Sequence, residues 1–196
     1  MVTVNMTYNI NRHTIEEGLL LCGINPHTTE AALIRAGVHS MFNHNAMTAI
    51  KDGVMGIVEA VTPISKFTTL EEYEDLMNGG YIVRFYRIKK LSIAERTYAA
   101  QYFVDKLLDL PYPKKTKMIL LVLPILNAII DRTEWMPNIR LTWCSQLCKI
   151  AYLKALENCL DGLNHKKKKL FTPRTFEKRI LLGLFEDVTD EMVICS

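Results

Sequence analysis

The chain has 196 residues, of which 49% are hydrophobic and 23% charged, with a formal net charge of +3. That size and apolar content suffice for one domain with a substantial core, and the charged fraction is too ordinary for a disordered chain. The weak positive charge singles out no polyanionic partner, and with no nucleic-acid motif or aromatic-interleaved basic stripe, nucleic-acid binding is not expected.

The opening residues, MVTVNMTYNINRH, lack a basic start followed by an apolar run, so no secretory signal is read and a cytoplasmic protein is expected. "EEGLLLCGI" (16–24) is a short apolar run consistent with a buried strand. "TTEAALIRAGV" (28–38) carries a helix start at its threonines and a stop at Gly37. "HNAMTAIKDGVMGIVEAV" (44–61) has Asp52-Gly53 between two apolar segments, a strong hairpin signal. A two-residue turn pairs Lys51 with Val54, Ala46 with Glu59, and His44 with Val61. His44 and Glu59 then share one face as diagonal neighbours. A one-residue slip would separate them, so this placement depends on the turn.

"FTTLEEYEDLMNGG" (67–80) reads as a capped acidic helix closed by glycines. "YIVRFYRI" (81–88) is β-branched and aromatic, a strand. In the next stretch Ser92 can cap a helix, Glu95 can complete the capping box, and the helix stops before Pro111. Its apolar face is Ala99, Tyr102, Phe103 and Leu107. "MILLVLPILNAII" (118–130) is too short to span a bilayer; it is either a buried helix interrupted at Pro124 or a hydrophobic wall meeting a lipid or a partner. A long helix begins near Cys144, with Leu147, Cys148, Ala151 and Ala155 on one face. The run "HKKKK" (165–169) is a solvated loop or a phosphate patch, and "FTPRTFEKR" (171–179) turns into a short helix. Strands and helices without strict alternation predict a single α+β domain.

Five cysteines, Cys22, Cys144, Cys148, Cys159 and Cys195, fit neither a disulfide nor a zinc framework, so reduced thiols and no metal are expected. Cys22 lies in a buried strand pattern, Cys148 and Cys159 well inside a helix on its apolar face, and Cys195 one residue from the end. Cys144 is different, because it stands where a helix starts. There it is either a small core residue or a nucleophile whose thiolate the helix stabilises. A nucleophile needs a base within reach and a third group to orient that base. His44 and Glu59 can supply both. Glu59 interrupts the apolar strand "GIVEAV", where a buried carboxylate requires a partner. The alternative places Glu59 on a solvent-facing edge and His44 in a loop.

The ordered set "EEGLLLCGI", "HSMFNHNAMTAIKDGVMGIVEAV", "LDLPYP", "TWCSQLCKIAYLKAL" and "FTPRTF" resembles the permuted papain-like family, the circularly permuted branch of the NlpC-type cysteine peptidases, and its YiiX-like members in particular. The likeness covers roughly residues 16–180. In that family a histidine opens the hairpin, a glutamate follows in an "EA" pair, and the cysteine comes last in "YCSEL". Those positions are His44, Glu59 and Cys144 here. "LPYP" resembles the family's "G-x-P-Y-D" turn, which places Tyr112 near the site. Trp143 stands where the family has tyrosine, and Gln146 where it has glutamate. The resemblance implies a papain-like fold with an antiparallel sheet packed against helices. It implies a Cys144–His44–Glu59 triad, with Trp143 and Tyr112 as substrate-binding residues and no cofactor. The implied activity is hydrolysis of a peptide or other amide through a thioester. Acyl transfer or lipid hydrolysis at a membrane surface met by residues 118–130, or a binding module without chemistry, are the alternatives.

Overall fold

A computed structural model describes residues 7–38, 40–112, 144–159 and 173–195. The expectations that fall on Trp143, on residues 118–130 and on residues 165–169 lie outside them. The sheet is organised by the central hairpin. Strand β3 (His44–Lys51) turns into β4 (Val54–Ala60) through Asp52 and Gly53, both with positive φ, 53° and 79°. That is the two-residue turn whose twist matches the strands it joins. It sets the register Lys51↔Val54 through Ala46↔Glu59 as the sequence predicts. The ladder stops there. His44 pairs with Gly23 of β2 (Leu20–Ile24) and not with Val61, because β4 ends at Ala60 and Pro63 soon follows, without an N–H to continue the pairing.

Five more strands complete the sheets. β5 (Ser65–Thr69) pairs with β4, β6 (Ile82–Ile88) with β2, and β7 (Phe185–Asp187) with β6. The resulting six-stranded sheet has the order β5-β4-β3-β2-β6-β7 and is antiparallel throughout. β1 (Tyr8–Ile10) and β8 (Val193–Cys195) form a separate pair.

Both faces of the large sheet are covered, which explains why its strands are apolar almost without interruption. One face presents Leu20, Cys22, Met47, Ala49 and Val58 to α3 (Ile93–Leu107) and α4 (Cys144–Cys159), which contribute Ala99, Phe103, Leu147, Cys148 and Ala151. The other presents Leu19, Leu21, Ala46, Ile57 and Phe85 to Leu70, Tyr73 and Met77 of α2 (Leu70–Asn78), and to Ile10 and Met192. α1 (Thr29–Val38), α5 (Pro173–Leu181) and the short α6 (Thr189–Met192) complete the described elements.

Two further expectations are corrected. The segment from residue 67 is not helical from its start: Thr69 ends β5 and caps α2, its side chain accepting from Glu72 N–H in a capping box. Cys159 is the last residue of α4, not an interior one. The two-stranded β1–β8 unit, β7 and α6 carry no strong pattern in sequence. The capping box of Ser92 and Glu95 forms as expected, and α3 ends at Leu107, ahead of Pro111.

Candidate active site

Glu59 lies on β4, which is enclosed by β3 and β5, so it is not on an edge. It is 5% exposed. A carboxylate so placed must have its oxygens satisfied. His44 Nε2 is 2.7 Å from Oε2, Tyr73 Oη donates to Oε2 at 2.8 Å, and Thr68 Oγ1 donates to Oε1 at 2.7 Å. Burial opposes the charge, but the hydrogen bond and charge of His44, followed by the hydrogen bonds of Thr68 and Tyr73, outweigh it and hold the carboxyl down at about 2.

Cys144 is the first residue of α4. Its thiol is hydrogen-bonded to the His44 imidazole. Since Nε2 of that ring is held by Glu59, Nδ1 is the nitrogen left for the sulfur. The backbone N–H groups of Asn45 and Ser145 also point at the sulfur. Asn45 lies one residue beyond the last β3–β4 pair, so on the β4 side its amide is free of the ladder at the point where the thiol arrives, while it stays paired with Cys22 of β2. Burial disfavours the thiolate, yet the imidazole and these two amides bring the Cys144 pKa below the ordinary thiol value. Burial likewise opposes the imidazolium, but the hydrogen bonds and charges of Cys144 and Glu59 push His44 up to about 10. The two shifts favour the same state, a thiolate–imidazolium pair backed by a carboxylate. His44 keeps 13% of its side chain exposed and Cys144 is 8% exposed, so the pair is recessed but not sealed.

The buried cysteines Cys22 and Cys148 do not compete. Cys22 and Cys148 are fully buried, and burial pushes both thiols well up. Cys22 instead accepts a hydrogen bond from Asn45 Nδ2 at 3.1 Å. Tyr112 donates its backbone N–H to Pro63 O at 2.7 Å, beyond the end of the strand that bears Glu59, and packs against the cluster that contains Cys144. Sequence reasoning missed Thr68 and Tyr73. Recognising β5 would have found Thr68, since the register Glu59↔Lys66 puts residue 68 diagonally across from Glu59 on the same face. Tyr73 belongs to the buried stripe of α2 and carries no signal that separates it from a packing residue.

No family model matches the chain, and no curated protein matches it in sequence. In structure it is similar to the metalloprotein yiiX of Escherichia coli O157:H7, with 18% identity over 72% of this chain and 66% of that one, and a TM-score of 0.50. The chain therefore spans just under two thirds of that neighbour, and at this identity the likeness is one of fold. Among the described residues, no group of three or more His, Cys, Asp or Glu side chains is arranged to hold a metal ion, and no helix is long and apolar enough to cross a membrane.

Proposed function

We propose that the chain is a cysteine hydrolase of permuted papain-like fold that cleaves an amide, in a peptide or linked to a small group, through Cys144, His44 and Glu59. The observation that carries this reading is that one imidazole touches both a buried thiol at a helix start and a buried, fully hydrogen-bonded carboxylate. In a packing role, none of the three needs the others.

The chemistry follows from the protonation state. The Cys144 thiolate attacks the carbonyl carbon, and the oxyanion that forms is met by backbone N–H groups at the start of α4. His44, protonated at Nδ1, gives that proton to the leaving nitrogen as the C–N bond breaks. Water then adds to the thioester and passes a proton to His44. The C–S bond breaks, the acid departs and the thiolate–imidazolium pair returns. Glu59 fixes the ring orientation and balances the imidazolium charge. Tyr112 and Trp143 remain the proposed substrate contacts.

The test is labelling by an electrophilic amide- or ester-type probe. Cys144→Ala and His44→Ala should each abolish it while the thermal unfolding transition stays cooperative. Labelling that persists in Cys144→Ala, at Cys148 for example, would show that another thiol carries the reactivity.

A further inference from the structure

Tyr81 immediately precedes β6, and its side chain reaches back across β2. Its hydroxyl ends over Gly23: a Cβ built on that glycine would stand 2.1 Å from Tyr81 Oη and 2.7 Å from Cζ. Gly23 is the direct cross-strand partner of His44. Side chains of an antiparallel pair point to the same face with Cβ atoms roughly 5 Å apart. The Tyr81 hydroxyl thus occupies the place a side chain at position 23 would take, beside His44. The ring packs edge-on against Tyr73, centroids 6.4 Å apart, and Tyr73 is the residue that donates to Glu59. Both tyrosines are held in the same wall, yet their hydroxyls differ. Tyr73 Oη is committed to the carboxylate, whereas among the described residues nothing hydrogen-bonds Tyr81 Oη. Burial and the charges of Glu59 and Cys144 raise its pKa, so it stays an O–H donor.

A partly buried hydroxyl beside a catalytic imidazole, without an internal partner, is suited to bind what passes through the site. We propose that Tyr81 Oη binds the group that enters and leaves on the His44 side: the departing amine in acylation and the attacking water in hydrolysis of the acyl-enzyme. This rests on the hydrolase reading above. In the second half-reaction the water oxygen bonds to the thioester carbon, its proton goes to His44 Nδ1, and the C–S bond breaks to restore the thiolate. Tyr81 Oη hydrogen-bonds the water and takes no proton. Gly23 is the positioning residue, since any side chain there would displace the hydroxyl.

The experiment uses p-nitrophenyl acetate with the full chain, following the burst of p-nitrophenolate and the lifetime of acetyl-Cys144 by mass spectrometry. p-Nitrophenolate leaves without needing a proton, so the burst reports attack by Cys144 and the lifetime reports the water step. In Tyr81→Phe the burst rate and the iodoacetamide alkylation rate should stay within about twofold of wild type, while the acetyl-enzyme persists about tenfold longer or more. Gly23→Ala, which moves the hydroxyl without removing it, should show the same split. A burst that falls in step with deacylation, or a deacylation rate equal to wild type in Tyr81→Phe, overturns the role assigned to Tyr81 and leaves the hydrolase reading standing. Absence of any Cys144-dependent burst in the wild-type chain overturns that reading, and the role of Tyr81 with it.

Discussion

Glu59→Gln separates charge from hydrogen bonding at this site. In the native arrangement Oε2 takes His44 Nε2 and Tyr73 Oη, and Oε1 takes the Thr68 hydroxyl. A glutamine carbonyl in place of Oε2 keeps the first two bonds. Its NH₂ then faces Thr68, whose hydroxyl can rotate to accept. Every buried polar group stays paired, so the fold should be retained. Glu59→Ala would instead strand two hydroxyls and a charged ring, at a cost of about 3–5 kcal/mol. What glutamine removes is the negative charge 2.7 Å from His44 Nε2. A hydrogen bond to a charged group is worth about 1.5–3 kcal/mol, against about 0.5–1.5 for a neutral one. The difference, about 1–1.5 kcal/mol, is one pKa unit. A direct Coulomb estimate at an intermediate dielectric is larger, about 4 kcal/mol at 4 Å. The His44 pKa should therefore fall by one to three units, roughly, and the ratio of the thiolate–imidazolium pair to the neutral pair by tenfold or more. The assay is the rate of iodoacetamide alkylation at Cys144 against pH, with calorimetry to confirm folding. The alkaline limb, set by His44 near 10 in the native chain, should move to lower pH in the variant. A folded Glu59→Gln protein with the native rate and the native alkaline limb would refute the coupling of Glu59 to the thiol.

Stability should itself depend on pH. Glu59 has a folded pKa depressed from 4.5 to about 2, so its contribution is full above 4.5 and is lost as pH falls through 2. His44 is raised from 6.5 to about 10, so its contribution is full below 6.5 and is lost as pH rises through 10. Urea unfolding across pH should show both flanks, and His44→Gln should remove the alkaline one. Tyr73→Phe keeps the ring but takes one donor from Glu59, and should cost about 1 kcal/mol in unfolding free energy while slowing alkylation severalfold. Cys148→Ala should lower the melting temperature by removing a buried sulfur yet leave labelling of Cys144 at the wild-type rate.

The hairpin was the most legible part of the chain, because Asp52-Gly53 determines turn type, turn type determines register, and register determines which side chains share a face. The helix starts at Ser92 and Cys144 were legible for a similar local reason, a cap in one case and the end of an apolar stripe in the other. The strands that close the sheet were not. β5 was hidden because its "TT" doubles as the cap of α2, and a local helix signal masks the strand that leads into it. β1, β7 and β8 are three residues each, too short for a period of two to register. At the site, the charged and nucleophilic members were visible since each is anomalous in its local pattern. Tyr73, Thr68 and Tyr81 were not: a tyrosine in an amphipathic helix and a threonine in a strand look the same whether or not the hydroxyl meets a carboxylate. Tyr81 becomes informative only once Gly23 is known to face His44.

The thiol is placed where a strand ladder ends, and this has a measurable consequence. Ala46↔Glu59 is the last β3–β4 pair; Asn45 stays paired with Cys22 on the β2 side, but its N–H is not taken up by β4 and is directed at Cys144 Sγ. An unpaired buried amide would be unfavourable; the thiolate supplies the missing acceptor, and the amide in turn stabilises the charge. Hydrogen exchange at Asn45 should therefore depend on residue 144, while exchange at residues inside the ladder, such as Met47, should not. In Cys144→Ala the Asn45 amide loses its acceptor, and its protection should fall by roughly tenfold to a hundredfold, corresponding to one hydrogen bond to a charged group. Cys144→Ser retains a weaker acceptor and should lie between the two. Equal protection of Asn45 in the native chain and in Cys144→Ala would mean that the amide does not bond the sulfur, and that the lowered thiol pKa depends on His44 and the helix start without help from the strand.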